Sequence, residues 1–261
     1  MKKVFLIVIV LVCVVTSLLL FKYYKTKKMD FTIEWREITL KTQEAMVPFF
    51  EELQQINIQA FLPIVKPYFY ANDPRLANLS VEKRSFVEQK VIAGISKGLQ
   101  DDFSSKINKL YIGLQNNKIF SAYVAIAKDS HKKVIGFCLF KEVCVKDTLD
   151  SCLLTITKGS RKQIDSADKT QDKIWVNLLA VVPGTQKKGV GKKLIFSVFD
   201  YCPNIKKIYL TTSADDSNKN TQAFYEHIGF TRVLKGTFVL GQGECDWMRE
   251  KIVYVYKKIS K

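Results

Sequence analysis

The spacing of hydrophobic residues in the first half of the chain predicts one strand followed by helices. Residues 31–38 alternate between apolar and polar side chains, as expected for a β-strand with one buried face. Residues 42–58 have helical spacing, whereas residues 61–70 are aromatic and interrupted by prolines, which indicates a loop or a short helix. A second helix is predicted to begin at Ser80, because apolar residues at intervals of four would form one core-facing stripe. The residues of this stripe are Val87, Val91, Ile95 and Leu99.

The second half of the chain alternates between strand patterns and helix patterns. Residues 120–127 and 133–143 predict two strands joined by a turn at residues 129–132, which makes a β-hairpin. Residues 146–171 are polar apart from a weak apolar patch at 152–156, and indicate an inserted loop with some strand. The remaining elements are predicted as strands at 173–182, 205–212, 230–239 and 251–258 and as helices at 191–199 and 218–228. This order of elements predicts a mixed α/β fold.

A long apolar run lies close to the N-terminus. Lys2 and Lys3 precede a stretch from Val4 to Phe21 that is interrupted only by Thr16 and Ser17, and more lysines follow it. A helix of about 20 apolar residues crosses a bilayer, and the stretch is close to that length. A signal peptide is the alternative, but the small residues of a cleavage site are not evident. The run therefore predicts an uncleaved, single-pass membrane anchor.

The charges that flank this run bear on its orientation. Four lysines follow the run, against two lysines and the α-amino group before it, so the positive-inside bias places the body of the protein in the cytoplasm. Residues 1–28 are accordingly predicted to be the anchor and residues 29–261 to be one folded domain. Export after cleavage of a signal segment remains the alternative.

A turn that ends in two closely spaced glycines is the most informative feature of the chain. Residues 183–191 are called the glycine turn below. A strand pattern stops at Pro183, and Gly189 and Gly191 precede a segment that is predicted as a helix. A strand that leads through glycines into a helix forms an anion site, because the first N–H groups of the helix have no intrahelical acceptor. Four lysines around the turn add positive charge: Lys187, Lys188, Lys192 and Lys193.

The glycine spacing excludes two known phosphate-binding loops. A Walker A loop needs Lys and then Ser or Thr after its second glycine, but Val190 and Gly191 follow Gly189 here. A dinucleotide-binding fingerprint needs a small residue three positions after Gly191, where Leu194 is too large. Both interpretations are therefore rejected.

Two segments resemble the two halves of one family signature. Residues Gln186–Gly191 resemble the Arg/Gln-x-x-Gly-x-Gly/Ala pyrophosphate loop of GNAT superfamily N-acetyltransferases. Residues Asn218–Phe230, with a Tyr-Glu pair at Tyr225 and a glycine at Gly229 that would end the helix, resemble the second half. The resemblance implies a GNAT-like α/β fold with a central, twisted, mostly antiparallel sheet flanked by helices. The hydrophobic N-terminal segment would precede this domain as one helix.

The resemblance also implies acetyl-CoA as co-substrate and the residues that would hold it, with no metal. In the family the strand before the turn splays from its neighbour, so main-chain groups of Val181 and its neighbours would pair with the pantetheine arm. Asn218 would contact the co-substrate, and its side chain also suits a helix N-cap. The residues implied for the pyrophosphate are Gln186, Lys187, Lys188, Gly189, Val190, Gly191 and Lys192.

The catalytic groups follow from the same resemblance. An amine would attack the thioester directly, and Tyr225 is implied as the general acid that protonates the departing CoA thiolate, with core packing as the alternative role. Many relatives carry a Glu as base where this chain has Asn177, which cannot take a proton. Asp172, Glu142 or a chain of waters remain as alternatives for the base.

The amino-acid composition of the chain limits the kinds of partner that it could bind. The chain carries 41 Lys and Arg against 25 Asp and Glu, a net charge of +16 that suits an anionic cofactor, an anionic membrane or nucleic acid. Nucleic acid is the weakest of these, because no nucleic-acid-binding motif is present. Two histidines and the lack of a C-x-x-C pair argue against a zinc site.

The sequence predicts a membrane-anchored N-acyltransferase that acetylates a small-molecule or protein amine. The alternative is a non-catalytic module that binds CoA or a partner.

Overall fold

One mixed sheet runs through the residues that the computed structural model describes, which are 29–71, 80–144, 153–159, 172–240 and 247–258. Its strands are β1 (Phe31–Ile38), β2 (Ile119–Asp129), β3 (Val134–Val143), β4 (Leu153–Gly159), β5 (Lys173–Val181), β6 (Lys207–Ser213), β7 (Thr231–Leu240) and β8 (Trp247–Lys257). They lie in the order β1-β2-β3-β5-β6-β8-β7-β4. Only β5 and β6 are parallel neighbours in this sheet, which confirms the mostly antiparallel arrangement.

Helices cover both faces of this sheet. They are α1 (Val47–Ala71), α2 (Val81–Gln115), α3 (Val190–Phe196), α4 (Val198–Tyr201) and α5 (Lys219–His227). Successive side chains of a strand point to opposite faces, so each strand contributes to two cores. In β2, Val124 and Ile126 pack with α1 and α2, whereas Ala125 and Ala127 pack with α3, α4 and α5. The sheet is therefore the middle layer of three.

Helix α1 is longer than its sequence pattern predicts. It continues through residues 61–70, where the prolines favour a loop or a short helix. One face of α1 buries Phe50, Leu53 and Ala60 against α2 and the sheet. Phe61 packs against the same core, whereas Pro63 and Ile64 are exposed, so the helix continues beyond its buried part. The loop interpretation of residues 61–70 was therefore wrong.

The other helix boundaries agree more closely with the sequence. Helix α2 follows directly after Ser80, and Gly229 lies beyond the end of α5 with a φ of 100°, a left-handed conformation that favours glycine. The helix predicted at 191–199 is instead divided at Ser197 into α3 and α4. The Ser197 hydroxyl donates to the carbonyl of Leu194 at 2.8 Å, a bond that competes with regular helix geometry.

Two predicted segments fall wholly or partly outside the described residues. Residues 1–28, with the predicted membrane anchor and N-terminal helix, are among those not described. Within the described ranges, no helix combines the length and the apolar character needed to cross a bilayer. Of the polar insertion at 146–171, the structure describes β4, which pairs antiparallel with β7 at the edge of the sheet.

Candidate functional site

Strands β5 and β6 pair over only part of their length. Their parallel ladder ends at the pair Val176–Leu210. Beyond it β5 continues to Val181 paired with β3, and β6 continues to Ser213 paired with β8. The facing edges of the two strands therefore have no ladder between them in the described part of the chain. The splayed strands that the family resemblance implied are confirmed.

The free edge of β5 presents main-chain hydrogen-bonding groups. A β-bulge leaves Asn177 unpaired with β3, between Val176 and Leu178, which are paired. The part of β5 from Asn177 to Val181 is called the open edge below. The N–H of Val182 donates to the carbonyl of Ile135 at 2.9 Å, which fixes the alternation of the strand. By that alternation Leu179 and Val181 direct their N–H and C=O groups away from β3. Their two N–H groups donate to no acceptor among the described residues.

The glycine turn contains a run of unpaired N–H groups. Gly189 lies at the N-cap of α3 with a φ of 84°, in the left-handed region that glycine adopts without strain. The first main-chain hydrogen bond of α3 runs from the N–H of Lys193 to the carbonyl of Gly189, at 3.0 Å. Within the described part of the chain, the N–H groups of residues 186–192 donate to no acceptor. Consecutive free N–H groups in such a turn suit an anion.

Two contacts hold the glycine turn against its surroundings. The side-chain amide of Gln186 donates to the carbonyl of Val181 at 3.1 Å. A Cβ atom built on Gly191 would lie 3.3 Å from Phe224 of α5 and 3.7 Å from Val181. The glycine therefore permits a close approach of α3, α5 and the end of β5. Gln186 uses its side chain within the protein, while its main-chain N–H is among the unpaired ones.

Asn218 links α5 to the end of β6. It occupies the N-cap position that the sequence predicts, but its side chain makes no capping hydrogen bond. Its Nδ2 donates instead to the Thr212 hydroxyl and, at 3.4 Å, to the carbonyl of Ser213. The predicted capping bond was wrong because β6 ends within reach and offers these acceptors.

Gln222 also bonds the end of β6, because its side-chain amide donates to the carbonyl of Ser213 at 3.0 Å. Sequence reasoning missed this residue, although its spacing of four from Asn218 indicates a shared helix face.

Tyr225 lies in the buried layer between α5 and the sheet, with 7% of its surface exposed. Its ring packs against those of Phe230 and Tyr254, with centroids 5.8 and 5.9 Å away. Burial raises the pKa of Tyr225 well above its usual value, and the neighbouring Cys138 and Tyr254 raise it further. The phenol is therefore held neutral and protonated, as a general acid must be, while its ring also serves the core.

The two candidate bases lie far from the glycine turn. Gly136 of β3 pairs with Val181 at the turn, and Glu142 lies about 20 Å further along the same strand. Asp172 precedes β5 and is therefore at the same distant end of the sheet. Burial is the main cause that raises the pKa of Glu142. The assignment of either carboxylate as the base stays a prediction.

The structure brings the two signature segments together at one end of the sheet. The close approach of Phe224 to Gly191, where a Cβ would lie 3.3 Å from its ring, places the second segment next to the first, beside the open edge of β5. Asn177, at the bulge, lies where the β5–β6 ladder has ended. Among the described residues, no group of three or more His, Cys, Asp and Glu side chains could hold a metal ion. The site therefore combines main-chain N–H donors of the open edge and the glycine turn with the buried phenol of Tyr225.

The sequence profile of the acetyltransferase (GNAT) family matches residues 92–230, more than half of the chain. The chain therefore belongs to the GNAT acetyltransferase family. The matched range runs from within α2 to Phe230 and includes the open edge, the glycine turn and Tyr225. Among curated proteins, none matches this sequence.

Several solved structures are similar in fold. NAA60 of Arabidopsis thaliana, in complex with a bisubstrate analogue, is 18% identical over 87% of this chain and 98% of that one, with a TM-score of 0.42. The ribosomal-protein-S18-alanine N-acetyltransferase of Escherichia coli is 12% identical over 88% and 97%, with a TM-score of 0.42. A protein described as a streptothricin acetyltransferase of Bacillus anthracis, in complex with acetyl coenzyme A, is 20% identical over 52% and 62%, with a TM-score of 0.34. The family assignment rests on the match over residues 92–230 and not on these likenesses.

Proposed function

We propose that this protein transfers an acetyl group from acetyl-CoA to an amine by direct attack in a ternary complex. The observation that carries the proposal is the run of unpaired N–H groups at residues 186–192, which follows the open edge of β5 and lies beside α5 with Tyr225. Such a run suits a diphosphate, and exposed lysines of the glycine turn add positive charge. Membership of the GNAT acetyltransferase family supports the same activity.

The chain would hold acetyl-CoA through main-chain groups rather than through a charged pocket. The N–H groups of residues 186–192 would bind the pyrophosphate. The unpaired N–H groups of Leu179 and Val181 would bind the pantetheine arm as a neighbouring strand binds, which fixes its direction along the open edge. Asn218 would contact the co-substrate from the start of α5. This arrangement orients the thioester before the amine arrives.

The thioester supplies the acetyl group. The protein orients the two reactants and donates a proton to the leaving sulfur. The amine nitrogen forms the new C–N bond, the C–S bond breaks, and the Tyr225 hydroxyl gives its proton to the departing sulfur. The proton that the nitrogen loses returns to the phenolate through water. No protein nucleophile is needed, because proximity and polarisation of the carbonyl lower the barrier.

A binding measurement combined with a turnover assay tests this function. Calorimetry with acetyl-CoA is expected to show one site per chain, and a thiol-release assay is expected to show CoA production that depends on an added amine. An absence of binding overturns the proposal. The acceptor would be found by incubating a lysate with labelled acetyl-CoA and the protein, and then identifying the labelled amines by mass spectrometry.

A second candidate function is a non-catalytic module that binds CoA or a partner. Asn177 favours it, because the position at the bulge carries no group that could take a proton from the amine. Tight binding of acetyl-CoA without thiol release across a panel of small amines and peptides would support this second function and overturn catalysis.

The proposal includes a membrane anchor in residues 4–21, with the folded domain on the cytoplasmic side. Its support is the uninterrupted apolar character of the run and the four lysines that follow it. Acetyl-CoA is available on that side. Retention of the full chain in membranes after carbonate extraction, with an N-terminus that still begins at Met1, is the expected result. A mature N-terminus beyond residue 21 outside the cytoplasm would instead support an exported protein.

A further inference from the structure

Strand β1 forms one edge of the sheet. Among the described residues it pairs only with β2, in a register that continues from Phe31 to Ile38 without a β-bulge. The strand at the opposite edge, β4, has two register shifts in its pairing with β7, and such irregularities hinder the addition of another strand. Of the two edge strands, β1 is therefore the one whose outer side is regular enough to pair with a further strand.

The hydrogen bonds of the β2–β3 hairpin fix which main-chain groups of β1 point outward. The N–H of Asp129 donates to the carbonyl of Lys133 at 3.0 Å, so Asp129 directs its main-chain groups towards β3. Successive residues of a strand face alternate neighbours, so Lys128 and every second residue before it face β1. Their partners in β1 are the even-numbered residues, such as Glu34. The outward N–H and C=O groups of β1 therefore belong to Phe31, Ile33, Trp35 and Glu37.

Two opposite charges lie two residues apart on one face of β1. The Arg36 guanidinium binds the Glu34 carboxylate at 2.8 Å, and the two side chains are still 40% and 38% exposed. Neighbouring residues hold both groups in place. The guanidinium lies 4.4 Å from the centre of the Phe49 ring, and Lys128 binds the other oxygen of Glu34. Both charges are thus ordered at the edge of the sheet and remain accessible to a further partner.

An aromatic pair lies on the other face of the same edge. The ring of Trp35 stacks on that of Tyr201, with 4.6 Å between centroids and 7° between planes. Tyr201 is 46% exposed, which is unusual for an aromatic residue of this size within a stack. A second sheet edge placed against β1 would cover part of this pair and remove apolar surface from water.

We propose that two copies of this chain associate through β1, antiparallel, about a two-fold axis at Trp35. This register places Glu34 opposite Arg36 of the second copy and Arg36 opposite Glu34 of the second copy. The outward main-chain groups of Trp35 meet their own counterparts, and those of Ile33 meet those of Glu37. Opposite charges directly across two strands stabilise their pairing, whereas like charges in the same place oppose it.

The charges select this register from the other symmetric ones. Outward groups must meet outward groups, so the axis of an antiparallel pair has to lie at one residue of the strand. An axis at either Glu34 or Arg36 places like charges opposite each other. An axis closer to an end of β1 pairs a shorter part of the strand. The axis at Trp35 pairs residues 32–38 and sets both charges against their opposites.

The proposed pairing is independent of the proposed acetyl transfer. Strands β2 and β3 lie between β1 and β5, so the open edge of β5 stays outside the interface. The rate of thiol release per chain is therefore expected to be the same in the monomer and the dimer. Loss of acetyl-CoA binding in the parent chain would overturn the activity alone, and the state of association would be measured separately.

Charge variants of the full chain in detergent test the register by analytical ultracentrifugation. Glu34→Arg and Arg36→Glu each place like charges opposite each other, so each is expected to weaken the dimer at least about tenfold. A mixture of the two single variants is expected to form mixed dimers about as strong as the parent, because arginines of one chain then face glutamates of the other. The double variant with both changes is expected to regain most of the association.

Thermal melts of the same variants show whether each chain is folded. This control is needed because Glu34 also binds Lys128 within its own chain, and Glu34→Arg removes that ion pair. Association that returns on mixing the two single variants requires that both are folded. Single variants that dimerise as the parent does, or a mixture that does not associate, would overturn the proposed register.

A proline at residue 37 tests the main-chain pairing without a change in the charged pair. Glu37→Pro removes one outward N–H and leaves the bonds between β1 and β2 in place, and edge strands tolerate proline at such positions. Glu37→Ala is the matched control, because it removes the same side chain and keeps the N–H. Only the proline variant is expected to lose the dimer. Equal association of the two variants would exclude β1 as the interface.

Hydrogen exchange of the parent chain locates the contact. The N–H groups of Ile33, Trp35 and Glu37 are expected to exchange several-fold more slowly as the chain concentration rises, because the dimer gives them acceptors. Those of Glu34 and Arg36 face β2 and are expected to exchange equally slowly at every concentration. Slow exchange of the outward groups in the monomer would show that another part of the same chain covers β1. That result, or a parent chain that stays monomeric up to its solubility limit, would overturn the proposal.

Discussion

The side-chain amide of Gln186 donates to the main-chain carbonyl of Val181, with 3.1 Å between Nε2 and O. The carbonyl lies at the end of the open edge, and the amide belongs to the turn that follows it. The bond therefore closes the glycine turn onto the strand. Gln186 acts on the geometry of the turn through its side chain, while its main-chain N–H belongs to the unpaired run.

Replacement of Gln186 by Ala is expected to weaken acetyl-CoA binding about 3- to 10-fold, because one hydrogen bond of about 1 kcal/mol no longer holds the turn in place. The turnover number is expected to stay the same, since the substitution does not touch the reacting atoms. Gln186→Glu keeps the size but removes the donor, and it is expected to weaken binding at least as much. Calorimetry would measure both variants. An unchanged dissociation constant in Gln186→Ala would show that the bond is incidental.

Gly189→Glu is expected to abolish acetyl-CoA binding, because a side chain and a negative charge would enter the place proposed for the pyrophosphate. Gly184→Glu is the matched control. Gly184 has nearly the same left-handed φ, 83° against 84°, and a Cβ would likewise meet nothing within 4 Å. The control introduces the same charge and the same backbone strain outside the unpaired run. Equal losses in the two variants, measured by calorimetry, would contradict the placement of the anion.

Tyr225→Phe is expected to lower the turnover number about 100-fold, within the range for loss of a general acid, and to leave acetyl-CoA affinity nearly unchanged. Tyr254→Phe is the control, because it removes a hydroxyl from a ring that packs on Tyr225, and that hydroxyl bonds the exposed side chains of Glu226, at 3.0 Å, and Arg232. The Tyr254 variant is expected to retain most of its turnover. Steady-state rates of thiol release would compare the two. Full activity of Tyr225→Phe would remove this residue from the chemistry and leave it a core residue.

Asn177→Glu is expected to raise kcat/KM at pH values below the pKa of the acceptor amine, because a carboxylate at the bulge could take the proton of the ammonium form. The gain requires an ionised glutamate, so it appears above roughly pH 4–5 and disappears once the amine is already neutral. Asn177→Gln keeps a neutral amide and is expected to show no gain. A pH–rate profile of the three proteins is the measurement. Identical profiles would show that this position does not face the amine.

Glu142→Gln is expected to stabilise the fold at neutral pH. Burial raises the pKa of Glu142, so the folded protein binds the proton more tightly than the unfolded chain, and the ionised form is costly above that pKa. The gain is expected to be about 1–3 °C in Tm at pH 7 and to vanish towards pH 4, where the carboxyl is protonated in both states.

Glu34→Gln is the control for Glu142→Gln and has the opposite sign. Hydrogen bonds from Lys128 and Arg36 lower the pKa of Glu34, so its contribution to stability is present near neutral pH and is lost as the pH falls through the folded-state pKa. Thermal melts at several pH values would compare the two variants. A loss of Tm in Glu142→Gln at pH 7 would mean that hydrogen bonds outweigh the cost of burial.

The sequence predicted the elements that depend on local pattern. The alternation at residues 31–38, the hairpin and the helix after Ser80 appear where their spacing places them, because side-chain periodicity reports directly which face is buried. Residues 61–70 show the limit of that signal. Their prolines disfavour a helix locally, yet α1 continues through them, beyond the part that is buried against α2 and the sheet.

The sequence by itself determined the family signature, since glycines at fixed spacing and a Tyr-Glu pair are chemical features that need no coordinates. Only the tertiary structure decided what those residues contact. Asn218 turns from its predicted helix cap to the end of β6, and the open edge of β5 begins where its pairing with β6 stops at Val176 and Leu210. The acceptors of Asn218 lie only five and six residues away, but they depend on where β6 ends, whereas the partner of Val176 in β6 lies more than 30 residues away. Local spacing fixes which groups a segment offers, whereas strand register and packing fix which partners lie within hydrogen-bonding distance.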